Sequence, residues 1–277
     1  MKQFIGIVWN FGVIAGVSLL FTACKQDARK MPESLLTSPP LELKWESKNW
    51  VSSTCANDSL QCLKLQVEFP IITEDNQISR QINDTLLANL HQLLIPTLPQ
   101  VNTSFPIELG KWAQQLLHEY EELVAEDPEY RIPWEIKLIT DSLYQNPFLL
   151  SIRMKFYAFT GGAHPNVQQR LMNFDLLNGH KVELRSIFKD ERALIKMVEM
   201  KFLEEQRQSS SDQSIDGAIT ETIALPDNFA IMEEGLYFLY NPLEEVVYGL
   251  TLTEFFLPYK EIEDLLNQKG KTLFNKN

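Results

Sequence analysis

The chain has 277 residues, of which 25 are lysine or arginine and 37 are aspartate or glutamate, so its net charge at pH 7 is −12. This length is enough to bury one large or two small hydrophobic cores. So acidic a surface repels nucleic acid and favours cationic partners, and no basic run offers a path for a phosphate backbone. These features exclude nucleic-acid binding.

A secretion signal occupies residues 1–23. Lys2 is followed by an uncharged, largely apolar run from Gln3 to Ala23, as in exported leaders. The run ends at Cys24 in a segment that resembles a lipobox, so we expect cleavage before Cys24 and acylation of its thiol by chains such as palmitate. The alternative is an uncleaved membrane anchor, because about 18 apolar residues can span a bilayer. Both interpretations place the remaining residues in the cell envelope, on the same side of a membrane.

Residues 24–40, with three prolines, predict a tether between the membrane and the folded part. Cys55 and Cys62 are the two other cysteines, and in an oxidising compartment a lone pair at this spacing forms a disulfide across a loop. A redox or metal pair is the competing interpretation, which the lack of a C-x-x-C motif and of a nearby histidine disfavours. Alternating apolar residues predict strands on either side of this loop, at 41–51 and 62–72.

Two amphipathic helices are predicted next, over about residues 75–94 and 106–125, from apolar side chains at helical spacing. Asn178 and Gly179 predict a tight turn into a short strand at 182–184. Strictly alternating segments predict three longer strands between the helices and this turn, at 134–143, 148–159 and 167–176. We expect these strands to form a meandering antiparallel sheet.

The last third of the chain combines a helix, a polar excursion and a few strands. We predict a helix over about residues 191–206, a flexible excursion at 208–214 and a terminal helix over 260–268. Helices and antiparallel strands alternate without a regular strand-helix-strand rhythm, which indicates an α+β fold. We expect two small fused domains, at 41–160 and 161–268. The remaining strand-like segments are 229–232, 236–240 and 250–257.

Several runs of residues resemble a family of bacterial extracellular domains. They are Phe156–Pro165, Asn173–Val182, Ser186–Phe188, Glu234–Pro242, Val247–Gly249 and Phe256–Tyr259. The family includes the ectodomains of lysozyme-sensing anti-sigma factors of the RsiV type and the non-catalytic N-terminal domain pair of some peptidoglycan deacetylases. The resemblance covers residues 41–268. Because a signal alone precedes these residues and no catalytic domain follows, we expect no direct sigma-factor control and no deacetylase domain of that type.

The histidines, at positions 91, 118, 164 and 180, match no zincin motif, and the chain has no nucleophile-elbow, Walker or dinucleotide pattern. We therefore predict no catalytic residue, no metal site and no cofactor. A rival class, an envelope glycan hydrolase or deacetylase, would need histidine and carboxylate side chains that converge in one pocket.

The candidate ligand-binding residues are Tyr157, Gly161, Gly162, His164 and Pro165. Two glycines permit close approach of a partner's backbone, and the proline fixes the exit from the turn, which suits a loop tip that contacts a partner. The alternative is a purely structural turn, whose imidazole caps neighbouring backbone groups.

A dense acidic run precedes the third strand and comprises Glu119, Glu121, Glu122, Glu126, Asp127 and Glu129. Alone, such a run is typical of a solvated helix face. The resemblance implies a cationic partner, since lysozymes are cationic and the anti-sigma ectodomain binds one. We predict a lipid-anchored envelope module that binds a lysozyme-like muramidase or peptidoglycan through acidic steering and insertion of the 161–165 loop. The alternatives are the envelope enzyme and a purely structural lipoprotein.

Overall fold

A computed structural model of the chain describes residues 41–94, 105–209, 224–241 and 252–275. The predicted signal peptide, Cys24 and the tether lie outside the described residues. So do most of the predicted excursion and the start of the last predicted strand. In the described part, no helix is both long enough and apolar enough to cross a membrane.

A five-stranded sheet forms the larger half of the molecule, with its strands in chain order. Neighbouring strands are antiparallel except β2 and β3, which run parallel, with Leu63 opposite Trp134. Two helices, α1 (Gln77–Leu94) and α2 (Phe105–Glu126), form the connection between β2 and β3. This single crossover was not predicted from the sequence, while the meander from β3 to β5 is confirmed. The strands are β1 (Leu43–Val51), β2 (Leu63–Ile72), β3 (Trp134–Asn146), β4 (Leu149–Phe159) and β5 (Asn166–Asp175).

The helices cover one face of this sheet because both elements present apolar side chains at their own periods. Every second side chain of β2 points into the core, and so does about every fourth side chain of α1. Each large apolar side chain removed from water in this way stabilises the fold by about 1.5–3 kcal/mol. The Asn76 side chain begins α1 by accepting a hydrogen bond from the Ser79 amide at 2.8 Å. Buried side chains of this core include Leu65, Val67, Phe69, Ile82, Leu86 and Leu90.

A second, three-stranded antiparallel sheet consists of β6 (Phe229–Met232), β7 (Gly235–Tyr240) and β8 (Thr253–Pro258). Helix α3 (Glu191–Ser209) packs against it and buries Leu194, Val198 and Phe202 completely or nearly so. Shorter elements complete the described part. They are the 3-10 helices η1 (Ser53–Ala56) and η2 (Leu184–Ile187) and the helices α4 (Tyr259–Ile262) and α5 (Gln268–Leu273).

Two predicted elements differ from the structure. The predicted strand at 182–184 is reduced to a single bridge between Phe174 and Lys181, after which η2 begins. The predicted terminal helix at 260–268 is present only in its first turn, because α4 ends at Ile262. The next helix, α5, begins at Gln268, where the Asn267 side chain accepts a hydrogen bond from the Gly270 amide at 3.0 Å.

The two sheets meet through buried polar side chains of β4 and β5. Ser151 Oγ donates to Ile231 O at 2.7 Å, and Asn173 Nδ2 donates to Phe229 O at 2.8 Å. Asn173 Oδ1 in turn accepts from the Ile231 amide at 2.7 Å. The α+β class is thus confirmed. The division into domains at residue 160 stays a prediction, and β5 pairs with β4 across it.

Candidate functional site

Three connections lie at the same end of the five-stranded sheet. The register places the end of β1 beside the start of β2, and the start of β2 beside the start of β3. It also places the start of β3 beside the end of β4, and the end of β4 beside the start of β5. The connections 52–62, 127–133 and 160–165 therefore project from one edge, which we call the loop end. Sequence reasoning treated these segments separately, and the topology brings them together.

The loop 160–165 connects β4 to β5 at this end. Gly161 and Gly162 have φ angles of 90° and 106°, which residues with a Cβ rarely adopt. His164 and Pro165 are exposed. Of the candidate ligand-binding residues, these four therefore share one projecting loop. The fifth, Tyr157, lies half-buried on the outer face of β4, three residues before the loop begins.

Cross-links hold the connection 52–62 in place. Cys55 and Cys62 form a disulfide, as the sequence predicts. The Ser53 amide donates to Glu121 Oε1 of α2 at 2.6 Å, and Gln61 Nε2 donates to Pro128 O at 2.7 Å. The disulfide closes the connection on itself, and the two hydrogen bonds tie it to α2 and to the 127–133 connection. This part of the loop end is therefore braced and has little conformational freedom left to lose on binding.

Aromatic side chains support the same connections from below. Tyr120 is fully buried, and its hydroxyl donates to Ile132 O at 3.1 Å. Burial raises the pKa of Tyr120, so the phenol stays protonated and keeps that bond. Trp134 Nε1 donates to Tyr130 Oη at 2.9 Å. These residues carry no motif, and only their aromatic character before β3 marks them in the sequence.

The predicted acidic run borders the loop end. Glu122, Glu126, Asp127 and Glu129 are exposed, and the structure shows no basic residue in the last turn of α2. Carboxylates at a helix C-terminus oppose the helix dipole and weaken the helix by about 0.3–1 kcal/mol each. These exposed carboxylates place negative charge beside the 127–133 connection.

The four histidines lie on separate elements of the described part of the chain. His91 is buried on α1, and His118 pairs with Glu122 on α2 at 3.2 Å. His164 lies in the projecting loop, while His180 hydrogen-bonds to Gln81 at the start of α1. Among the described residues, no three histidine, cysteine, aspartate or glutamate side chains lie close enough together to hold a metal ion.

A polar cleft that sequence reasoning missed lies along the free edge of β5. It has a volume of about 410 Å³ and lies between α1, β5 and the segments that flank β6 and β7. Asn241 and Asn228 cover the edge strand: Asn241 Oδ1 accepts from the Gln169 amide at 2.7 Å, and Asn228 Oδ1 accepts from the Leu171 amide at 3.0 Å. These side-chain amides replace a sixth strand and protect the edge from pairing with another chain.

Comparison with known proteins supports this architecture. Residues 56–167 match a family model described as "Deacetylase PdaC". That segment runs from η1 to the start of β5 and includes most of the loop end. No curated protein sequence matches the chain.

Two crystal structures share the fold. A member of the DUF3298 family from Bacteroides fragilis has a TM-score of 0.63 and 19% identity, with 85% of this chain and 97% of that chain covered. A DUF3298 family protein from Pseudomonas aeruginosa has a TM-score of 0.60 and 18% identity, with the same shares covered. These similarities show the fold, while the RsiV-type assignment stays a prediction.

Proposed function

We propose that this chain is a lipid-anchored binding module of the bacterial cell envelope whose loop end engages a cationic, lysozyme-like muramidase. The observation that carries the proposal is the meeting of exposed carboxylates and the Gly161–Pro165 loop at one braced edge of the sheet. The matched family model and the DUF3298 neighbours support a module of this kind.

Binding would proceed in two steps. The negative potential of Glu122, Glu126 and Glu129 attracts a cationic protein and raises its association rate. The projecting loop then enters the partner's cleft, where Gly161 and Gly162 allow the two backbones to approach closely. Because the neighbouring 52–62 connection is already cross-linked, it loses little conformational entropy on binding.

The anchor follows from the predicted leader. Acyl chains on Cys24 would hold the protein on a bilayer, and residues 25–40 would lift the loop end away from it. The Cys55–Cys62 disulfide supports export, since such bonds persist in oxidising compartments.

A titration of the purified chain with a cationic lysozyme tests the proposal. We compare the wild type with the triple variant Glu122→Gln, Glu126→Gln, Glu129→Gln, at low and at physiological ionic strength. The control variant Glu261→Gln, Glu263→Gln, Asp264→Asn removes the same charge from exposed positions in and after α4. It therefore separates the local effect of the loop end from the effect of net charge.

We expect saturable binding that weakens as salt rises, and an association rate about three- to tenfold lower for the loop-end variant. The control variant should stay close to the wild type. Absence of saturable binding at low salt, or equal losses in both triple variants, would contradict the proposal.

A glycan deacetylase is the second candidate, because the matched family model carries that description. Release of acetate from N-acetylated glycan oligomers, measured with and without added divalent zinc, tests it. Since the described residues bring no three potential metal ligands together, we expect no release above the background of a heat-treated sample.

A further inference from the structure

The polar cleft beside β5 contains a cation that forms no ion pair with a described carboxylate. Arg170 Nη1 donates to Asn89 Oδ1 at 2.7 Å and to Gln92 Oε1 at 3.0 Å, both neutral amides on α1. Among the described residues, no acidic side chain forms an ion pair with Arg170, and burial alone lowers its pKa. In a chain of net charge −12, a partly buried guanidinium without a carboxylate partner requires a reason.

The charge of the cleft limits the ligand. Arg170 and Lys181 each contribute +1 and Asp227 contributes −1, so these lining groups sum to +1. This sum matches one carboxylate better than a phosphate monoester, which carries −1.5 to −2 at neutral pH. The planar guanidinium also suits a carboxylate, because two of its N–H groups can donate to the two oxygens in parallel.

The rest of the lining suits hydroxyl and amide groups. Gln92 Nε2 and Gln168 Oε1 make no hydrogen bond to any described residue, so the cleft offers one free donor and one free acceptor near the guanidinium. Gln169 Oε1, also in the lining, is buried without a hydrogen-bond partner. Buried polar atoms that lack a partner concentrate at functional sites. The volume of about 410 Å³ lies within the range of small-molecule sites.

We propose that this cleft binds an acidic sugar, with Arg170 as the anchor of its carboxylate and the neighbouring amides as partners of its hydroxyl or acetamido groups. The cleft opens beside α1 and the edge of β5, and none of the loop-end carboxylates lines it. The proposal therefore goes beyond muramidase binding and does not depend on it.

Three probes separate the parts of this recognition. N-acetylmuramic acid carries both a sugar and a carboxylate, N-acetylglucosamine is the same sugar without the lactyl carboxylate, and lactate is the carboxylate without the sugar. Each is titrated against the full chain in detergent and followed by saturation-transfer NMR. We expect the muramic acid to bind at least about tenfold more tightly than either other probe.

Variants locate the binding in the cleft. Arg170→Gln should reduce the affinity for N-acetylmuramic acid to that for N-acetylglucosamine, whereas Arg80→Gln, which removes an exposed cation from α1, should leave it unchanged. Lys181 and Asp227 are exposed, so their substitution keeps the fold even where Arg170→Gln does not. Lys181→Gln should weaken binding and Asp227→Asn should strengthen it.

Several results would overturn the proposal. If the two sugars bind equally, the carboxylate contributes nothing to the affinity. If lactate binds as tightly as the muramic acid, the sugar contributes nothing. An unchanged affinity in the well-folded Arg170→Gln variant would place the site elsewhere. Loss of lysozyme binding leaves this inference intact, since the loop-end variants do not alter the cleft.

Discussion

The Cys55–Cys62 disulfide closes a short loop between β1 and β2, and its reduction is a clean perturbation of the loop end. Reduction changes no atoms of the fold except the two sulfurs, so its effect reports the cross-link itself. For a closed loop of about eight residues, the chain-entropy relation gives about 2.5 kcal/mol of stabilisation at 25 °C. The predicted consequence is a free energy of unfolding lower by that amount.

Other contacts should preserve the native fold after reduction. The Leu63 amide donates to Ser52 Oγ at 3.0 Å, and Gln61 still contacts Pro128. We therefore expect the far-ultraviolet circular dichroism spectrum to remain native while the urea midpoint falls by about 1 M, for an m-value of about 2–3 kcal/mol/M.

Urea unfolding with and without dithiothreitol measures this effect. The double variant Cys55→Ala, Cys62→Ala is the control, because its midpoint should not respond to the reductant. A wild-type midpoint that also fails to respond would refute the argument that the cross-link acts through the entropy of the unfolded chain. Complete unfolding on reduction would refute the claim that the other contacts suffice.

Three further substitutions test individual features of the fold. Gly235→Ala would place a Cβ 2.1 Å from a backbone oxygen of β8, so thermal unfolding should show a loss of at least about 2 kcal/mol; an unchanged melting temperature would contradict this packing. Gln169→Met removes a buried oxygen that has no hydrogen-bond partner. Chemical unfolding should therefore show unchanged stability or a gain of about 1 kcal/mol. A clear loss of stability would contradict the view that this oxygen is unsatisfied. Burial raises the pKa of Asp141, but hydrogen bonds from Lys155 and Arg153 lower it more, and the net pKa lies below its usual value of 3.8. The stability advantage of the wild type over Asp141→Asn should therefore be constant above about pH 4 and shrink as the pH falls further; an advantage that persists at pH 2 would contradict this.

Local patterns determined much of the secondary structure. Apolar residues at helical spacing located α1, α2 and α3, and strict alternation located β2, β4 and β5, because these patterns report which face of an element is buried. The disulfide followed from two cysteines in a short span. The start of α5 at Gln268 was missed because it depends on the Asn267 side chain, which caps the helix and also makes a tertiary contact with Ser186 O.

Partnerships between distant segments could not be predicted in the same way. Alternation in β2 and β3 is identical for parallel and antiparallel neighbours, so the crossover through α1 and α2 left no local signal. The loop end depends on that topology, so the sequence alone did not show that the 52–62, 127–133 and 160–165 connections share one edge of the sheet. The cleft around Arg170 draws its lining from segments separated by more than a hundred residues, and none of them carries a motif.

Hydrogen exchange of the chain in complex with a cationic lysozyme tests the central claim most directly, because it shows which surface the partner covers. The account predicts slower exchange in peptides that contain residues 127–133 and 160–165, with no change in α4 and α5. Protection confined to other surfaces, with the loop end exchanging as in the free chain, would contradict the account.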